Sequence, residues 1–359
     1  NYETMRMEIT SFPDVIFNPA AQVKFVHTVA AGYTTASAFV LGVSAYYLLK
    51  GRDHAFAQRS FAVAAGFGLA ASLSVIVLGD ESGYTDGEVQ KVKLAAIEAE
   101  WDTQEAPASF TLFGFPDQEN MRTDYALKIP WVLGLIGTRS FDEPIIGLKE
   151  SMEKNHQKVR NGIEAYRALQ ELRSGKKDEQ TTARFERYKQ DLGYGLLLKR
   201  YTDRVVDATN DQIEQAANDS IPRVAPLFWA FRIMVACGFI SLLVFTLAFF
   251  SCSGKHCNRP WLLKLAVIAM PLPWIASEMG WFVAEFGRQP WTIAEVLPTF
   301  LSVSTLTETD LIISLSGYVV LYTLFFIIEV YLMLKYIRMG PSSLHKGRYH
   351  FEILSGEAG

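Results

Sequence analysis

The stretch GWFVAEFGRQPW at 280–291 sets Trp281, Glu285 and Arg288 at i, i+4 and i+7, on one face of a helix. Glu278 extends that stripe by one turn. The spacing suits an interfacial tryptophan with a Glu–Arg ion pair closing the helix. It equally suits a carboxylate that binds iron weakly or carries protons, with Arg288 balancing its charge. His27 and Met234 lie in two other apolar stretches, at similar depth from the same end. An imidazole and a thioether from different helices can hold a haem iron from both sides, an arrangement suited to electron transfer because no position is left for substrate. The plainer readings are a headgroup-level histidine and a packing methionine. Lys24, one turn before His27, could meet a haem propionate. Arg232 sits about 200° round the helix from Met234 and would reach a propionate only round the porphyrin edge. An intramembrane arginine is costly and normally faces a partner or a cavity.

A second group lies in QKVKLAAIEAEWDTQEAPASFTLFGFPDQ, which joins Lys93 and Glu98 to Phe110, Phe113 and Phe115. Charge beside aromatic rings at a membrane surface can bind the head of a quinol, the carboxylate taking a proton while the rings flank it. Phenylalanines dipping into lipid or core explain the same letters. Glu329 is a further intramembrane acid and a candidate for a proton path. Cys252, His256 and Cys257 supply only three donors in a short basic loop, so reduced thiols are expected there rather than a metal site. Three cysteines are too few for a disulfide framework.

These residues need helices that cross a membrane. The chain has 359 residues, 50% hydrophobic, and its formal charge of −4 points to no polyanionic partner; no nucleic-acid motif is present. Five apolar runs, at about 22–49, 57–79, 224–250, 261–286 and 311–337, are long enough to cross the roughly 30 Å hydrocarbon core. The expected fold is an all-α membrane protein, a transmembrane helix bundle with a large extracytoplasmic loop. Its segments are 1–79 (lead-in and two spans), 80–222 (the loop), 223–339 (three spans) and 340–359 (a cytoplasmic tail). Within the loop, IGLKESMEKNHQKVRNGIEAYRALQELRSG reads as one long solvated helix ended by Gly175. Basic clusters follow the first span (Lys50, Arg52, Arg59), the third (Lys255, Arg259) and the fifth (Lys335, Arg338, Lys346, Arg348). Five spans put all three on one side, which the positive-inside rule makes cytoplasmic. The loop and GRQPW then share the outer face. The chain begins Asn-Tyr without a signal-peptide pattern, and a further N-terminal portion is expected.

Taken together, NYETMRMEITSF, QVKFVHTV, VLGDESGY, KLAAIEAEW, LGYGLLLKRY, SIPRVAPLFWAFRIM, GWFVAEFGRQPW and GPSSLHKGRYHFE resemble one family, subunit I of the bacterial cytochrome bd quinol oxidases. The resemblance runs through essentially the whole chain. It implies that His27 and Met234 are the axial ligands of a low-spin haem b, with Arg232 nearby. It implies that Glu285 ligates a high-spin haem b beside Arg288, and that Trp281 lies between haem groups. Lys93 and Glu98 match the quinol-oxidising loop, here in its long version. The implied cofactors are low-spin haem b, high-spin haem b, and haem d or a third haem b. The implied partners are a second large subunit, often a very small third one, ubiquinol or menaquinol, O2 and the lipid bilayer of the bacterial inner membrane. The implied activity is quinol oxidation at the outer face and reduction of O2 to water with cytoplasmic protons, building a proton-motive force without a pump. Family members have about nine spans and this chain the last five, so the histidine of the oxygen-reactive haem is expected outside it. Two other functions use parts of the same pattern: a b-type cytochrome relaying electrons from quinol to another protein, and a haem-free transporter or receptor.

Overall fold

The computed structural model describes residues 8–140, 142–176, 178–254 and 257–341. Residues 1–7, Lys255, His256 of the Cys252–Cys257 group, and the tail with Lys346 and Arg348 lie outside the described residues. Described cysteines Cys237, Cys252 and Cys257 are free.

A five-residue turn, α1 (Phe12–Ile16), leads into α2 (Pro19–Lys50) and α3 (His54–Val89), followed by the short α4 (Lys91–Glu98). An antiparallel hairpin of β1 (Phe110–Asp117) and β2 (Arg122–Ile129) precedes four helices: α5 (Leu148–Arg173), α6 (Glu179–Tyr188), α7 (Leu192–Leu197) and α8 (Asn210–Asp219). Then come α9 (Val224–Ser253), α10 (Pro260–Ala269), α11 (Leu272–Phe286), the small pair β3 (Trp291–Ile293) and β4 (Leu297–Pro298), and α12 (Glu308–Met339). Among the described residues, five helical segments are long and apolar enough to cross a membrane, in agreement with the apolar runs.

The edges differ from the expected ones in two places. The second span does not end at 79: α3 runs on through GDESGYTDGEV to Val89, because polar residues leave lipid without leaving a helix. The fourth span is broken at Met270 and Pro271 into α10 and α11, since a proline has no N–H for the helical ladder.

The chain forms two compact units that do not follow the sequential segments. One gathers the described residues up to Val29 with Ser74–Ala236 and Ile275–Val303. The other gathers Ala30–Leu73, Cys237–Trp274 and the described residues from Ser304 onward.

In the second unit, Leu41, Ala45, Phe61, Ala65, Phe245, Ala248, Leu263 and Ala266 form the core. Small residues let the helices close: a Cβ on Gly68 would fall 2.2 Å from the Phe245 ring. Arg52 donates to the carbonyls of Arg338 and Met339 at 2.9 and 3.0 Å, satisfying the C-terminal end of α12. Asn258 and His54 are 2.9 Å apart. The turns that follow the first, third and fifth spans therefore meet at one end of this unit.

In the first unit, α5 is the axis of the polar region. It ends as its sequence predicts, with Gly175 at φ 95. It is not solvated all round, however: Val159, Ile163, Ala165, Ala168 and Leu169 are buried, packed among α6, α7 and α8. Gly162 meets Gly195 of α7 so closely that a Cβ on Gly162 would lie 2.3 Å from the Gly195 nitrogen. Helix α8 starts in a capping box between Thr209 and Gln212.

Candidate functional site

Helix α4 has the small residues Ala95 and Ala96 on its buried side, which brings its backbone close to Val224, Leu227 and Phe228 at the start of α9. It stops at Ala99, which adopts φ 54 and lets the Glu100 N–H return to Ala95. That reversal buries two carboxylates two residues apart: Glu98 and Glu100 are each 2% exposed.

Arg232, about two turns into α9 on its buried face, meets Glu98 through Nη2 at 2.8 Å. Its other N–H groups are also taken. Nε donates to the Thr111 carbonyl at 3.0 Å, Nη1 to Ile97 and Phe228 at 2.8 and 3.2 Å, and Nη2 also to Thr111. Five donors thus serve one carboxylate and three backbone carbonyls. The guanidinium also stacks 3.4 Å over the Phe228 ring and 5.2 Å from that of Phe110. In this arrangement Arg232 has no donor left for another acid. Burial pushes the Glu98 carboxyl up to about 7, against the opposing pull of Arg232 and with a small upward push from Glu100. Burial also raises Glu100, which Lys128, Gln104 and Thr111 oppose.

Beside this pair, Phe113 and Phe115 of β1 and Trp229 of α9 form an aromatic group, with centroids 5.3–5.9 Å apart. Phe113 and Phe115 are exposed. They stand two and four residues along β1 from the carbonyl that Arg232 holds.

Lys93, at the other end of α4, is 4% exposed. Its Nζ donates to Asp86 Oδ2 at 2.8 Å, and Asp86 Oδ1 is 3.5 Å from Lys24 Nζ. The Lys93 stem crosses Gly287 of the GRQPW turn, where a Cβ would lie 3.0 Å from its Cγ. Burial lowers the Lys93 ammonium, partly offset by Asp86.

Glu285 and Arg288 form the expected ion pair at the end of α11, each side chain roughly two-fifths exposed. Trp281 is 66% exposed on the same helix. Beyond it the chain turns through β3 and β4, anchored by Trp291 buried against Tyr194 at 5.1 Å. His27 is half-buried next to Gly79 of α3, whose missing side chain leaves its Cβ position 3.3 Å from the ring. Its Nδ1 is buried without a hydrogen-bond partner. Met234 is half-buried with Sδ against Gly280 of α11, 3.0 Å from where a Cβ would stand.

The structure thus joins Arg232 to Glu98 and sets Lys93 against the Glu285–Arg288 turn. Sequence reasoning missed the Arg232–Glu98 pair, Glu100 and Asp86. The alanines of KLAAIEAEW, which mark a closely packed helix carrying acids, were the available signal. Glu329, in the second unit, lines an open apolar groove with Phe39, Phe325 and Tyr336.

Comparison with known proteins gives a consistent picture. The sequence model described as cytochrome bd terminal oxidase subunit I matches residues 1–341. The chain is 48% identical over 343 residues to subunit 1 of the cytochrome bd-II ubiquinol oxidase of Escherichia coli, covering 95% of this chain and 67% of that protein. It is 27% identical to subunit 1 of the cytochrome bd ubiquinol oxidase of Bacillus subtilis, covering 93% of this chain and 60% of the other. The bd oxidase structure from Geobacillus thermodenitrificans shares the fold, with a TM-score of 0.65 at 21% identity over 95% of this chain and 65% of that one. The chain therefore spans about two-thirds or less of the length of these relatives.

Proposed function

Because the chain belongs to the cytochrome bd terminal oxidase subunit I family, we propose that it is the haem-binding portion of a respiratory quinol:oxygen oxidoreductase that oxidises quinol and reduces O2 to water. The observation that carries the reading is the Glu98–Arg232 pair: a buried carboxylate held at about 7, close to the pH of a working general base, and bonded to an arginine two residues before Met234 in the sequence. The quinol head docks on the exposed faces of Phe113 and Phe115. Glu98, held behind them by Arg232, takes a quinol proton, and Lys93 supplies the cation that orients the quinol oxygen.

His27 and Met234 would hold a low-spin haem b, which would supply one-electron transfer. Their surroundings fit such a group. The imidazole has a ring nitrogen that nothing in the protein bonds, and glycines rather than side chains stand beside both ligands. Glu285 would ligate a high-spin haem b, with Arg288 holding the carboxylate and balancing its charge and the exposed Trp281 beside it. Arg232 acts through Glu98 here, so the cation for a propionate beside His27 would be Lys24.

A second large subunit, a small third one, and ubiquinol or menaquinol complete the assembly. The polar region and GRQPW face the outside of the bacterial cytoplasmic membrane. Support comes from the three turns that meet at one end of the second unit, bearing Arg52, Arg59, Arg259 and Arg338, the side that the positive-inside rule assigns to the cytoplasm. Protons released outside and consumed from inside would build a proton-motive force without pumping.

Glu98→Gln tests the reading. In the intact complex it should lower quinol oxidation at least about a hundredfold while the haem spectrum is retained, the loss expected for a general base. Unchanged turnover would remove Glu98 from the mechanism.

A further inference from the structure

Asp86 is a carboxylate that the proposed chemistry does not use, and it lies at the meeting point of three parts of the site. It stands near the end of α3, beyond the apolar part of that helix. One oxygen accepts from Lys93 at 2.8 Å; the other is 3.5 Å from Lys24 and takes no hydrogen bond. Lys24 is one turn from His27. Lys93 lies on α4 with Glu98, and its stem lies across Gly287, next to Arg288.

The charges that face Lys93 are Asp86 from α3, Lys24 from α2 and Arg288 from the turn after α11. Two of the three are cations, and the lysine is 4% exposed. Solvent therefore does little to stabilise the ammonium, and Asp86 alone among these groups favours it. The side chain also has little freedom. Gly287 bounds its stem on one side, and a Cβ there would press on both its Cγ and its Cε. The direction of the Nζ group is consequently set by its bond to Asp86.

We infer that Asp86 is a positioning residue for quinol binding: it holds the Lys93 ammonium in place and ties it, through Lys24, to the helix that carries His27. The inference rests on the proposed role of Lys93 at the quinol. Without Asp86 the lysine either loses its proton or turns away, and in both cases the quinol oxygen loses its cation. The effect falls on quinol affinity rather than on electron transfer.

The test is a double-mutant cycle on the intact complex with a short-chain ubiquinol as substrate: Asp86→Asn, Lys93→Gln and both together, with Asp86→Glu as the conservative variant. Haem spectra establish that each complex is assembled. Asp86→Asn is expected to raise the quinol KM more than tenfold with kcat changed less than threefold. The double variant should be no worse than Lys93→Gln, and Asp86→Glu should recover most of the affinity. The KM of Asp86→Asn should also begin to climb at a lower pH than in the parent, because the unsupported ammonium deprotonates sooner. If Lys93→Gln raises KM and Asp86→Asn does not, the positioning role is overturned and the quinol site stands. If neither raises it, the role of Lys93 falls, and that of Asp86 with it.

Discussion

Replacing Arg232 with Gln should silence quinol oxidation near neutral pH without dismantling the protein. The variant strips the cation from a carboxylate that is 2% exposed. A buried carboxylate that stays ionised after losing its partner costs about 3–5 kcal/mol. Glu98 has a cheaper escape. With its carboxyl at about 7 in the parent, protonating it at about pH 7.5 costs only about 0.7 kcal/mol, and less once Arg232 no longer favours the anion. The variant therefore folds with Glu98 neutral. The three carbonyls that lose their donors at Ile97, Thr111 and Phe228 are a smaller burden, because the glutamine amide can serve some of them. The assay is the pH dependence of kcat/KM for quinol in the intact complex. Activity needs ionised Glu98, so the parent should lose it as pH falls through about 7. In Arg232→Gln that limb should move up by at least about one unit, so that activity at pH 7 falls at least about fivefold and returns partly at higher pH. Arg232→Lys keeps a cation without the five-donor fork and should fall between the two. An acid limb that stays where it was in Arg232→Gln would refute the coupling of these two residues.

Two further outcomes follow from other parts of the structure. Met234→Leu should abolish the low-spin haem signal while the protein still assembles, read by a reduced-minus-oxidised spectrum; an unchanged signal would rule out the axial assignment. Gly162→Ala puts a methyl group 2.3 Å from the Gly195 nitrogen, so α5 and α7 must separate. The cost should be about 1–3 kcal/mol, seen as earlier proteolysis of the 143–217 region on heating, with the haem spectrum of the unheated complex retained.

Much of this arrangement was legible in the letters. The spans are readable because lipid demands about twenty apolar residues in a row, and Glu285 and Arg288 because three residues on a helix are neighbours. Gly175 announced the end of α5. What stayed hidden depends on contacts that periodicity cannot carry. Arg232 and Glu98 are 134 positions apart, and nothing local says that they share a site, so the sequence says that Arg232 needs a partner or a cavity without naming Glu98. The extension of α3 to Val89 was masked by its acids, since a segment leaving the membrane loses its hydropathy signal while keeping its helix. Asp86 fell in that blind stretch. The β1–β2 hairpin was missed because Phe110, Phe113 and Phe115 do not alternate evenly; bulges between Thr111, Phe113 and Phe115 break the period of two.

His27, Met234 and Glu285 are proposed to bind haem in a quinol-oxidising complex. Haem extraction with a reduced-minus-oxidised spectrum of the intact complex tests it most directly. The expected result is a low-spin haem b, a high-spin haem b and a third haem of d or b type, reduced on adding quinol and reoxidised by O2. A colourless preparation would contradict it outright, and low-spin haem b alone would leave only an electron relay, with no role for Glu285.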